Sequence, residues 1–195
     1  MREFIYFSKK ARTSGNFRDL MKAGRLDIVC HTVIMAFFVS HALRKNIRLH
    51  LFFYGPPDPP KHLEITNTKN EFVTISKKDI SGLLKRMLFK YKKNRKIEVF
   101  PGCFIEKKSF SEFIEKLNNE ERNIYLLDPR GEDIRKVNIK KNPVFIFGDH
   151  EGIPRHELKK IRKLKINKVS LGPVTYFASQ SVIILQNELD RMNII

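Results

Sequence analysis

No stretch of this sequence is long and apolar enough to cross a bilayer. The most apolar segment, Ile28 to Leu43, is broken by His31 and His41 and falls short of the roughly 20 apolar residues that a spanning helix needs. The opening Met1-Arg2-Glu3-Phe4-Ile5-Tyr6 lacks the long apolar core of a secretory leader. Cysteine is scarce: Cys30 and Cys103 stand alone, without the paired spacing of a disulfide framework or a zinc site. Isolated thiols suit a reducing cytoplasm, so a cytoplasmic protein with no membrane and no metal is expected. No two glycines lie two positions apart and no Gly-Lys-Ser/Thr occurs, which excludes the dinucleotide fingerprint and the P-loop. Glutamine is confined to Gln180 and Gln186 while Lys, Ile and Glu abound, a mildly thermophile-like balance. Repeats, low-complexity blocks and long linkers are missing.

What is abundant is positive charge. Lys and Arg number 38 against 21 acidic residues, a net charge of +17 over 195 residues. That excess is larger than solubility requires and implies an anionic partner. With the membrane set aside, nucleic acid remains. Two clusters carry the charge. A polar loop from Ser8 to Gly24 brings Lys9, Lys10, Arg12, Arg18 and Lys22, followed by Arg25, with Phe17 available to stack on an unpaired base. Lys85, Arg86, Lys90, Lys92, Lys93, Arg95 and Lys96 form the second, with Phe89 and Tyr91 interleaved. Such runs are often no more than a solvated helix face; the net charge favours phosphate contact for part of them.

The length suits one compact domain. Phe4–Phe7 and Leu49–Tyr54 read as strands, and Leu26–Lys45 as a buried helix ending in Arg44 and Lys45. Four prolines stiffen Gly55-Pro56-Pro57-Asp58-Pro59-Pro60. His62–Thr66 and Phe72–Ile75 read as a hairpin. Ser76 with Asp79 resembles a capping box opening a helix to about Lys93, and Ser109 with Glu112 one opening a helix to about Leu117. Ile97–Phe100, Ile124–Leu127, Val144–Phe147 and Lys168–Leu171 are short strands. Pro154 stands where a helix begins, and Ala178, Val182, Leu185 and Leu189 mark one face of the last helix. This alternation predicts an α/β fold with a mainly parallel sheet and helices on both faces.

Ligands of such sheets sit beyond the carboxyl ends of the strands. Three ends carry glycine or proline, letting backbone approach a ligand closely: Leu126 to Gly131, Ile146 to Gly152, and Ser170 to Tyr176. Apolar residues there can sandwich a flat ring such as adenine, with Asp128 or Thr175 for polar contacts. Ordinary turn chemistry is the competing explanation for any one of them.

Phe147-Gly148-Asp149-His150-x-Gly152, Ser170-Leu171-Gly172-Pro173 and Asn187-Glu188-Leu189-Asp190-Arg191 together resemble the SPOUT methyltransferases. Ala11-Arg12-Thr13, Ala23-Gly24-Arg25-Leu26-Asp27 and the proline loop are similar to the archaeal group that methylates N1 of tRNA pseudouridine 54. The resemblance implies one SPOUT domain over residues 1–195, with a substrate-side half over about 1–100 and a cofactor-binding trefoil knot over about 120–195. It also implies a homodimer, a tRNA partner, and bound S-adenosylmethionine. The cofactor contacts it implies are Leu127, Gly148, Leu171, Gly172, Pro173, Val174, Thr175, Tyr176 and Ser181. Where the family often has Ala-Ser-His-Cys, this chain has Ala178-Ser179-Gln180-Ser181.

Methylating N1 of pseudouridine requires loss of its N1 proton and alignment of the nitrogen with the methyl donor. Asp19, Asp27 and Asp58 are the candidate proton acceptors. Arg12 and Arg25 are candidates to clamp a phosphate or stabilise the developing anionic base. Asp27 is equally suited to a helix N-terminus, and Asp58 to the polar tip of a rigid loop. His31 and His41 are expected to be buried helix residues, and His150 a turn residue. Alternative functions are a ribosomal-RNA pseudouridine N1-methyltransferase and a non-catalytic RNA-binding relative.

Overall fold

A computed structural model describes residues 1–67 and 76–194. At its centre lies β1 (Arg2–Ser8), buried along its whole length. A strand with Arg, Glu and Ser among its buried residues needs a partner for each polar group. Backbone partners come from β4 (Ile47–Phe53) on one edge and β9 (Val144–Gly148) on the other, both parallel to β1. Around them stand β5 (Lys61–Thr66), β6 (Ile97–Phe100), β7 (Cys103–Glu106), β8 (Ile124–Asp133) and β10 (Ile166–Ser170). The order is β10-β8-β9-β1-β4-β5-β7-β6. Every pairing from β10 to β4 is parallel, and the three beyond it are antiparallel. Alternate residues of β1 face different layers. Phe4 and Tyr6 pack with α1 (Leu26–Phe37), α2 (Lys77–Phe89) and α5 (Ala178–Arg191). Ile5 and Phe7 pack with α3 (Phe110–Asn119) and α4 (Arg155–Ile161). The α/β class with helices on both faces holds.

Several boundaries differ from the sequence expectation. The helix expected to Lys45 stops at Phe37, because the bulky run Phe37-Phe38-Val39 turns extended at Phe38 (φ −101°, ψ 138°). A small hairpin of β2 (Phe38–Val39) and β3 (Ala42–Leu43) follows. His41 therefore lies in a turn, and both it and His31 are exposed, not buried in a helix core. α2 ends at Phe89 rather than Lys93. Ser76 accepts from the Asp79 N–H at 3.2 Å, but its hydroxyl meets the Asp79 carboxylate instead of completing a reciprocal box. The Ser109–Glu112 box forms in both directions, at 3.3 and 3.2 Å. β7 was not expected; Pro101-Gly102, with Gly102 at φ 74°, is the turn that pairs it with β6. The expected strand Phe72–Ile75 lies outside the described residues; among those described, β5 pairs with β4 and β7.

A buried polar chain crosses four adjacent strands on the α3 side. Glu3 faces His50 at 3.6 Å, His50 Nδ1 meets His62 Nε2 at 2.9 Å, and His62 Nδ1 meets Glu106 at 3.0 Å. Arg122 donates to Glu3 at 2.8 Å. Phe52 stacks on His62 with rings 4.5 Å apart and nearly parallel. On the opposite face Arg2 reaches α5, donating to Gln186 and Asp190 at 2.7 Å each, while Gln186 donates to the Ala36 carbonyl of α1 at 2.9 Å. Among the described residues no group of three or more His, Cys, Asp or Glu is arranged to hold a metal. No helix there is long and apolar enough to cross a membrane.

Candidate active site

An excursion within β8 and the carboxyl ends of β9 and β10 surround a cavity of about 370 Å³. Its first wall comes from an irregularity in β8. Lys168 of β10 pairs with Leu126, but the next residue, Val169, pairs with Glu132, so the residues between are thrown outward. Leu127, Asp128 and Pro129 of this excursion line the cavity. Gly131 lets the chain return, since a Cβ there would come within 2.5 Å of the Val169 nitrogen. The second wall is Gly148 to Gly152. A Cβ on Gly148 would meet the Gly152 carbonyl carbon at 2.5 Å and the Ile153 nitrogen at 2.7 Å. Asp149 shapes this turn: one carboxylate oxygen accepts from the Glu151 N–H and the other from the Ser8 hydroxyl, both at 2.8 Å. The third wall is Leu171, Gly172, Val174, Thr175 and Tyr176, closed by Ser181 of α5.

Eight of the nine residues expected to touch a cofactor therefore line one cavity; Pro173 is not among its lining residues. Phe147, Asp149, His150, Glu151, Val169 and Ser170 line it too. Their signal was contiguity, since each sits on or beside a strand end already singled out by its glycine.

Beside this cavity the three N-terminal segments are woven together. The backbone of Lys10 runs between Gly24 and Gly55, whose Cβ atoms would lie 1.8 and 2.3 Å from its carbonyl oxygen. Gly55 N–H donates to the Ala11 carbonyl, Arg12 N–H to Ala23, and Thr13 N–H to Pro56. The Thr13 hydroxyl donates to the Gly55 carbonyl and accepts from the Asp58 N–H, both at 2.9 Å. This knitted loop abuts the cofactor-side wall through Ser8–Asp149 and an ion pair between Lys10 and Glu151.

The expected catalytic residues fall in different settings. Arg25, left-handed at φ 62°, opens α1 and grips Asp27 with two bonds of 3.0 Å. The guanidinium holds the Asp27 carboxyl below its ordinary range. Between them, burial and the Asp149 carboxylate push the Tyr6 phenol upward, with Asp27 adding to the effect. Arg12 is half-buried in the woven loop and donates to the Ser14 hydroxyl at 3.2 Å. Asp58 pairs with Lys107 and with Lys61 (2.6 Å), which hold it at about 2 and make it a weak proton acceptor. Asp19 is exposed and accepts the N–H groups of Met21 and Lys22 at 2.8 and 3.1 Å, a turn-forming role.

The two basic clusters form one surface. α2 packs on the loop so tightly that a Cβ on Gly15 would meet the Phe89 ring at 2.5 Å. Phe17, expected to stack on a base, is instead buried with Lys85 above its ring at 5.3 Å. Phe89 takes the exposed position, at 61%. Tyr91 is half-buried beneath the Lys61 ammonium, 3.7 Å from its ring centre.

Across residues 1–194 the sequence matches the family model described as a SAM-dependent RNA methyltransferase. The chain belongs to this family. It is 36% identical over 200 residues to the tRNA (pseudouridine(54)-N(1))-methyltransferase of Methanococcus aeolicus, covering 98% of both chains. To the enzyme of that name from Methanocaldococcus jannaschii it is 34% identical over 203 residues, covering 100% of this chain and 98% of the other. Among solved structures, Archaeoglobus fulgidus Nep1 bound to S-adenosylhomocysteine shares the fold at a TM-score of 0.69 and 13% identity, covering 98% of each chain.

The residues of this RNA methyltransferase fit S-adenosylmethionine on structural grounds. Leu127, Phe147, Leu171, Val174 and Tyr176 supply apolar walls for a flat ring. Gly148 and Gly172 (φ 116°) leave backbone, not side chain, at the rim. Asp128 and Thr175 bring polar groups to the same cavity from different walls.

Proposed function

We propose that this chain moves a methyl group from S-adenosylmethionine to N1 of pseudouridine 54 in the T-loop of tRNA. The cofactor supplies a methyl already made electrophilic by its sulfonium. The protein's task is then to place N1 in line with it and to manage one proton. One observation carries the reading: the loop that holds Arg12 and runs from the end of β1 to Arg25 and Asp27 at the start of α1 is anchored to the cavity wall by the Ser8–Asp149 hydrogen bond. To Asp27, fixed by two bonds from Arg25, we assign the N1 proton, taken directly or through a relaying water. Arg25 and Arg12 balance the negative charge that develops on the base. The target base turns outward from the T-loop to reach them.

The same reading divides the single domain into a substrate side, up to about residue 100, and a cofactor side from about residue 120. It includes a trefoil knot in the latter. Its support is that β8 pairs with β10 on both sides of the cavity loop, and that Ile134 N–H reaches the Ser170 carbonyl just before the chain turns into α5. A homodimer is supported by the exposed apolar group Val174, Tyr176, Phe177 and Ile183. Buried, unpaired Cys30 and Cys103 fit the cytoplasm.

The test is incubation with S-adenosylmethionine and matched tRNAs carrying pseudouridine or uridine at position 54, followed by nucleoside mass spectrometry. N1-methylpseudouridine only in the first supports the proposal. Equal transfer to both, or transfer only to a pseudouridine-containing ribosomal RNA fragment, overturns it.

A further inference from the structure

We infer that a cleft between α4 and the ends of β8 and β10 is a second nucleotide site, seating a residue of the RNA that flanks the methylated one. The inference rests on the substrate being RNA, as proposed above. The cleft has a volume of about 330 Å³ and lies across β8 and β10 from the cofactor cavity, with Asp128 lining both. Its floor is apolar, with Leu126, Leu158, Ile161, Leu164 and Ile166. Its rim is cationic, with Arg155, Lys159, Arg162 and Lys168.

The charges leave an anion as the natural complement. Asp128 is the one carboxylate in the wall, and Lys168 pairs with it at 2.8 Å. Arg155, Lys159 and Arg162 are exposed and make no ion pair among the described residues. The segment Arg155–Lys168 holds seven Lys and Arg against one carboxylate, Glu157, itself buried and paired with Lys160 at 2.8 Å. An apolar floor beside three cations that make no ion pair among the described residues suits a nucleobase with phosphates on either side. An RNA strand bound beside the cofactor cavity has its neighbouring nucleotides within reach of this cleft, because Asp128 is part of both walls.

Two variants separate the two halves of the site. Exchanging Arg155, Lys159 and Arg162 together for Gln removes charge from exposed positions. Leu164→Trp fills the floor and leaves the charge intact. Both are compared with the parent by tRNA titration at several salt concentrations and by photo-crosslinking of a 4-thiouridine-substituted T-arm RNA. The triple variant should bind tRNA at least tenfold more weakly and lower the salt slope by about 3, at roughly 0.9 per phosphate. Leu164→Trp should weaken binding without changing the slope, and parental crosslinks should map to Leu158–Lys168. S-adenosylmethionine affinity should be unchanged in both. Crosslinks that avoid this segment, or variants that bind tRNA like the parent, overturn the inference. So does loss of self-association with RNA binding intact, which would make the cleft a protein contact. Crosslinking reads the cleft whichever nucleoside is methylated, so failure of the methylation assay on the parent is a separate result.

Discussion

At Gly148 the backbone of the cofactor loop passes so close to Gly152 and Ile153 that any side chain displaces main chain, not a flexible tip. Gly148→Val should therefore abolish measurable calorimetric binding of S-adenosylmethionine. Gly82 is the control: a Cβ there meets nothing within 4 Å, and it lies inside α2. Gly82→Ala should leave cofactor binding intact and raise stability by about 0.5–1 kcal/mol in urea unfolding. The Arg25–Asp27 pair divides binding from turnover. Asp27→Asn keeps the shape but not the charge, and should lower turnover by about 10²-fold while cofactor affinity holds. Single-turnover methylation with saturating tRNA measures the first and calorimetry the second. An Asp27→Asn enzyme with parental turnover would return the proton to a relay that bypasses this carboxylate.

Among the elements, the polar chain linking β1, β4, β5 and β7 sets the response of stability to acid. Burial lowers the His62 imidazole to about 4, against the pull of Glu106. Burial also raises the Glu3 carboxyl, but the His50 imidazole 3.6 Å away and a hydrogen bond from Arg122 bring it down to about 2. In both cases the unfolded chain binds a proton more readily, so stability falls as pH falls. His62 contributes fully above about 6.5 and is lost towards 4; Glu3 contributes fully above about 4.5 and is lost towards 2. Urea midpoints measured from pH 7.5 down should decline from about 6.5, and His62→Phe should flatten only the upper part of that decline. Much of this architecture was readable in advance. Apolar runs marked β1, β4 and β9, and Ser109 with Glu112 announced α3. The excursion in β8 was not, because Leu127 to Gly131 look like a plain loop until Glu132 and Asp133 resume pairing. The loops around the cavity were visible through their glycines and their family likeness. Which aromatic faces solvent was not: Phe17 and Phe89 sit in equally basic runs, and only the packing of α2 on the loop buries the first and exposes the second.

At the scale of the whole molecule, a net charge of +17 makes tRNA affinity a matter of counterion release. Exchanging Lys90, Lys92 and Lys93 for Gln should lower the slope of log affinity against log salt by up to about 3. The identity of the methylated base should not change, since that choice is made beside the cofactor; filter binding and mass spectrometry report the two separately. The apolar group around Phe177 and Ile183 predicts a scattering mass of twice 23.0 kDa. Phe177→Lys with Ile183→Lys should return the single-chain mass. The central place of β1 also governs how the chain is born. Residues 2–8 are made long before Val144–Gly148 complete one edge of that strand, and Arg2 finds Gln186 and Asp190 only when α5 arrives. Until then an apolar strand has one open edge and an uncovered face. A nascent chain stalled before residue 144 should be cut rapidly by protease and held by chaperones, whereas one extended past residue 194 should resist. The strand at the centre of the sheet is thus among the last to be fully enclosed, waiting on residues 144–194 for its second edge and its last helix.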